Sequence, residues 1–261
     1  MPGRFARLKS WDRCYLFFKD CHRVLLDTSH PRHEETVEAA QYRLGFYLAS
    51  FGMFRNGLLQ NADVSVYESV VRGLFSAQTE KAVKAVYAAQ PDHVPDWELV
   101  ERFSGIVSSA LSPELREVAS ECGLPVSRAE LSDTLVTKIL LGVFALCPAF
   151  DRNFKLGVRE FFLPSAEGLS DLPPGSFSLS HSDRRVIKTN GAWDKCQYEW
   201  LPEFLAAPGV LEFFRRRRPR FGLPGHEGEP YPLMRCIDLF FFSLGARLDG
   251  RSSGAGQAGG E

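Results

Sequence analysis

No apolar run in this chain approaches the ~20 residues that a membrane-spanning helix requires. The N-terminal stretch MPGRFARLKSWDR lacks an apolar core and a small-residue cleavage site, so no secretion signal is expected. A charge excess of one sign is missing too. The net charge is −1, which excludes a globally basic nucleic-acid binder but leaves room for a local basic patch. The six cysteines, at 14, 21, 122, 147, 196 and 236, include no CxxC pair and do not resemble a small disulfide scaffold. Reduced thiols in a cytoplasmic protein are the expectation. No Walker loop, GxGxxG, HExxH or GxSxG occurs, so neither a cofactor nor a structural metal is expected. A series of alternating strands and a fixed-period repeat are also absent.

What is present suits a packed helical core. The chain has 261 residues, 44% of them hydrophobic and 24% charged, with 21 Phe recurring inside helical patterns. That length favours one large domain over two. Leu135 to Phe154, LVTKILLGVFALCPAFDRNF, organises the rest. Its first half is apolar on every side, as a helix reads when neighbours cover it all round. Lys138 is the lone charge between Asp133 and Asp151. Cys147-Pro148 stops the helix, because proline disfavours helical geometry in the residue before it. Asp151 is then placed to cap the next helix.

Around this segment the periodicity predicts further helices. Ser10 or Asp12 caps a first helix, which Ser29-His30-Pro31 breaks. A second runs from about Arg32 to Met53, and the Asn56-Gly57 turn follows. Asp63–Phe75 and Thr79–Ala89 come next. Asp96 opens a fifth, and Ser112-Pro113-Glu114 reads as the start of a separate short helix that Gly123 ends. Ser127 to Glu130 has capping-box spacing ahead of the central helix. Pro164 to Ser182 reads as a long loop or subdomain break, and Val186-Ile187 as a short extended piece. Trp193–Ala206, Gly209–Arg217 and Tyr231–Leu244 complete the set. The expected fold is all-α: a single multi-helix globular domain over 1–249, with a possible break at 164–182 and a disordered tail at 250–261.

Three pieces, Tyr42 to Gln60, Asp133 to Phe154 and Tyr231 to Gly245, resemble an uncharacterised bacterial family of helical proteins of unassigned function; together they cover about a fifth of the chain. The resemblance implies an intracellular helical protein and supplies no activity. Lys138 to Asp151 alone is similar to the core of helix-hairpin-helix DNA glycosylases, where a buried helix is followed by an aspartate. The glycine-rich hairpin of that family is replaced here by Leu131-Ser132-Asp133-Thr134, and the interval from lysine to aspartate is shorter.

Two constellations carry candidate chemistry. Asp151 with Lys138 reads either as a catalytic carboxylate tuned by a lysine, or as a helix cap beside a snorkelling side chain. Arg215, Arg216, Arg217, Arg218 and Arg220 form the strongest charge signal. They read either as a nucleic-acid-binding patch flanked by Phe213, Phe214 and Phe221, or as a solvated face paired with acids. Cys14, Cys21, His22, His30 and His33 lack a standard zinc spacing. Cys122 with His93 or His181 is a weak nucleophile pair, since nothing local orients it. The leading expectation is a binding protein that contacts nucleic acid through the arginine patch. The alternatives are a DNA- or nucleotide-acting enzyme using Asp151 and Lys138, and a protein-interaction module using the Phe-rich C-terminal helix. No membrane partner is expected, and the sequence leaves the oligomeric state open.

Overall fold

The computed structural model describes residues 3–55, 57–94, 96–162 and 201–255. Every residue from 135 to 150 is buried, the longest such run among the described residues. Its first part is a helix, Asp133–Phe144, and the other elements pack around it. In chain order the α-helices are α1 (Gly3–Leu26), α2 (His33–Ser50), α3 (Gly57–Asn61), α4 (Glu68–Leu74), α5 (Glu80–Ala89), α6 (Trp97–Glu121), α7 (Asp133–Phe144), α8 (Arg152–Phe162), α9 (Leu201–Ala206), α10 (Val210–Arg216) and α11 (Leu233–Ala255). Short 3-10 turns at Met53–Arg55, Val64–Tyr67 and Val126–Ala129 link some of them. No strand occurs among the described residues; one isolated antiparallel bridge joins Arg220 to Pro230. The fold is all-α. No helix among the described residues is long and apolar enough to cross a membrane.

α7 packs against α1, α2 and α6. Because α7 is buried, its unsatisfied C-terminal carbonyls cannot turn to water and need protein donors. Trp11 Nε1 donates to Leu141 O at 3.1 Å, Tyr87 Oη to Val143 O at 2.8 Å and Gln90 Nε2 to Phe144 O at 3.0 Å. Two elements distant in sequence, α1 and the C-terminal end of α5, thus cap the central helix. Leu140, without solvent exposure, tests this packing: Leu140→Ala is expected to cost about 2–5 kcal/mol. A denaturant melt showing well under about 1 kcal/mol would place α7 at the periphery.

Several boundaries differ from expectation, each for a physical reason. α1 begins at Gly3, and Asp12 lies inside it rather than capping it; the Asp12 carboxylate accepts a hydrogen bond from Tyr231 Oη at 2.6 Å and is needed in the interior. α6 runs through Pro113 instead of restarting there. Its buried residues Val100, Phe103, Val107, Leu111, Leu115 and Ala119 stay in helical phase across the proline. Burial of that continuous stripe outweighs the roughly 3 kcal/mol a mid-helix proline costs. Gly123 ends α6 as expected, in a Schellman turn at φ +64; Leu124 N–H reaches Ala119 O and Gly123 N–H reaches Ser120 O. The cap of α7 is Ser132, whose Oγ accepts from Leu135 N–H, and the Ser127 stretch forms a 3-10 turn instead. α7 stops at Ala145, held left-handed at φ 49, two residues before the expected Cys147. α11 continues to Ala255, past Gly250 where a tail was expected; extending a formed helix fixes one residue per added bond. The break at Pro164–Ser182, the piece at Val186-Ile187, and Trp193 to Trp200 lie outside the described residues, as do Asn56, His181 and Cys196.

Candidate functional site

The turn after α7 is locked by side chains. Thr134 Oγ1 donates to Phe150 O, Thr137 Oγ1 accepts from Phe150 N–H at 2.9 Å, and Ala149 N–H donates to Asp238 Oδ1 at 3.0 Å. Asp151 closes it. Its Oδ1 accepts from Phe154 N–H at 2.9 Å, capping α8, and its Oδ2 accepts from Lys138 Nζ at 2.8 Å. The Lys138 side chain is 3% exposed and that of Asp151 16%. Lys138 also lies over the Phe51 ring, 4.6 Å from its centroid. The structure therefore brings Lys138 and Asp151 together as an ion pair in which each carboxylate oxygen already holds a partner.

A second buried pair adjoins this one and escaped the sequence reading. Arg235 Nη1 donates to Asp238 Oδ2 at 2.6 Å, with both side chains almost without exposure. The Arg235 guanidinium stacks over Trp11, 4.6 Å from its centroid. Burial pushes the Asp238 carboxyl up from its ordinary range, with the charge of Arg235 opposing. Burial likewise raises Asp12, against its bond from Tyr231 and the charge of Arg235. The available signal was two opposite charges three residues apart in an otherwise apolar helix, the same kind of exception that singled out Lys138.

The arginine run is divided by the structure. α10 ends at Arg216, and the chain then extends through Arg220 into a hairpin closed by Phe221 N–H to Glu229 O and Tyr231 N–H to Pro219 O. Arg215, Arg216, Arg218 and Arg220 line one cleft of about 340 Å³, together with Asp92 and Pro230. Arg218 donates to Asp92 Oδ1 at 2.5 Å and Arg215 to the same oxygen at 3.2 Å. The Arg218 guanidinium holds the Asp92 carboxyl below the usual carboxylate range, opposed by its partial burial and aided by Arg215. The Arg218 side chain is 7% exposed, and its Nε–H has no acceptor among the described residues. Arg216 is 75% exposed and pairs with Glu212 one helical turn back, a weak surface contact. Arg220 Nη1 donates to Gly228 O. Arg217 departs from the group. Its guanidinium stacks on Phe213, 4.0 Å from the centroid, and lines a neighbouring apolar groove.

No protein-family model, curated protein or solved structure matches this chain.

The functional reading thus falls to the residues themselves. Each guanidinium carries five N–H donors and no acceptor, so Asp92, Glu212 and the Gly228 carbonyl leave most of the donor capacity of four arginines unused. A cleft of this kind can hold phosphate or carboxylate oxygens, forked by planar donors. Asp92 was missed because it lies 123 residues from Arg215 in sequence. The remaining candidates stay apart. Cys14 is buried, His22 Nδ1 lies 2.6 Å from Lys19 O and His33 Nδ1 3.1 Å from Val24 O, while His30 Nδ1 accepts from Arg32 N–H. Among the described residues no three His, Cys, Asp or Glu side chains are grouped to hold a metal ion. Cys122 is exposed just beyond α6 and His93 precedes it, so a 25-residue helix, about 37 Å long, separates them.

Proposed function

We propose that this protein binds nucleic acid through the cleft lined by Arg215, Arg216, Arg218 and Arg220. The observation that carries the reading is the convergence of four guanidinium groups on one cavity with a single carboxylate among them. Asp92 and Glu212 offset two of the four positive charges and Asp92 positions Arg215 and Arg218, leaving a local excess in a chain whose net charge is −1. Burial of Arg218 fixes part of the site before any ligand arrives, which lowers the ordering cost of binding.

Neutralising phosphates releases condensed counterions, so affinity for an oligonucleotide is expected to fall linearly with log salt. Arg216→Gln and Arg220→Gln are each expected to lower that slope by about 0.7–0.9, single strands at the low end. Neither is expected to shift the melting temperature appreciably, since both residues are exposed. Asp92→Asn is expected to act in the opposite direction: it frees Arg215 and Arg218, tightening binding while loosening the cleft. Fluorescence anisotropy titrations across a salt series measure all three. An absence of binding at low salt, or slopes indifferent to these substitutions, overturns the reading.

A further inference from the structure

The segment 215–220 has a second side. Arg217 and Pro219, alternating with the cleft arginines, line an apolar groove of about 290 Å³ whose wall includes Phe213, Leu239, Phe240, Ser243 and Arg247. The two cavities adjoin through the chain itself, since Arg217 and Pro219 of the groove alternate with Arg216, Arg218 and Arg220 of the cleft. The groove is thus aromatic at its base and cationic at its rim, next to a cleft of four arginines. An aliphatic or uncharged occupant would leave Arg217 and Arg247 unused. A duplex would keep its bases stacked inside the helix, out of reach of a groove beside the backbone.

Resting on the reading of the cleft as a phosphate site, we propose that this groove takes an unpaired base, so that the protein prefers single-stranded over double-stranded nucleic acid. The phosphates lie along the cleft arginines, and the adjacent base stacks on the exposed guanidinium plane of Arg217, backed by the Phe213 ring. Guanidinium planes and aromatic rings both accept bases of any sequence. The preference therefore concerns strandedness and not base identity.

The test compares a fluorescein-labelled single strand of about 12 nucleotides with a duplex of equal length, a span within known single-strand site sizes. Arg217→Lys keeps the charge and removes the plane. Single-strand affinity is expected to drop at least about fivefold, with the salt slope and duplex affinity unchanged. Ser243→Glu, at an exposed rim position, sets a carboxylate in the groove without touching the core, and is expected to weaken single-strand binding more than duplex binding. If the parent protein binds both forms equally, or both variants bind the single strand like the parent, the groove proposal falls while the cleft reading stands. If the parent binds neither form at low salt, the cleft reading falls and takes this proposal with it.

Discussion

Lys138→Met is expected to destabilise the protein by about 3 kcal/mol, the low end for stranding one member of a buried ion pair, because the Asp151 side chain keeps 16% exposure. Methionine keeps the apolar stem against Phe51, so the loss isolates the charge. What remains is the carboxylate of Asp151 beside Asp238, with Arg235 as the nearby cation. The double variant Lys138→Met, Asp151→Asn is expected to regain most of the loss. Asparagine still caps α8 in the manner of Asp151, and neutral groups replace the pair, an exchange that is often close to neutral. Urea melts of the parent, both single variants and the double variant close a double-mutant cycle. A single-variant cost below about 1 kcal/mol, or a double variant no better than Lys138→Met, would show that the pair does not hold the turn after α7.

Gly157→Ala and Gly245→Ala are each expected to cost about 3 kcal/mol, the upper end of the overpacking range, because the obstruction is backbone and cannot rotate away. α8 and α11 meet through these two glycines. A Cβ on Gly157 would stand 1.9 Å from Phe241 O, and one on Gly245 1.9 Å from Asn153 O. Either methyl forces the helix axes apart and opens the aromatic contacts of Phe154 and Phe161 with Phe241. Since both substitutions strain one interface, their costs are not expected to add. Gly105→Ala is the internal comparison. It lies on an exposed face of α6 with no atom near the new methyl, and is expected to stabilise the protein by about 0.4–1 kcal/mol. Thermal or urea melts decide; similar effects at all three glycines would mean that α8 and α11 do not touch as closely as described.

Helices with one apolar stripe were legible at once. The Leu44 and Leu48 stripe of α2 and the continuous apolar surface of α7 were found within a few residues of their ends. So was the role of Asp151 at the start of α8, because a cap is set by the chain's own next turn. Errors gathered where a local signal met a tertiary demand. Pro113 is a strong local stop, yet the stripe from Val100 to Ala119 needs one unbroken helix. Ser127 has good capping-box spacing, yet Ser132 sits at the actual turn. Asp12 looked like a surface cap and is instead an interior acceptor for Tyr231, 219 residues away.

The site divides the same way. Residue spacing was enough to establish that the protein is helical, that one helix near its middle is wrapped on all sides, that Lys138 and Asp151 are its exceptional charges, and that five arginines crowd the segment 215–220. These properties are written in spacings of three and four residues, which a helix turns directly into faces. Which charges meet follows from how the helices pack. That packing set Asp238 against Ala149 and Asp92 beneath Arg218, and it turned Arg217 away from its neighbours onto Phe213. Such pairings depend on how distant elements dock, and docking is settled by the burial of apolar stripes and the approach of glycines. A charge brought along by that packing takes whatever partner the packing provides.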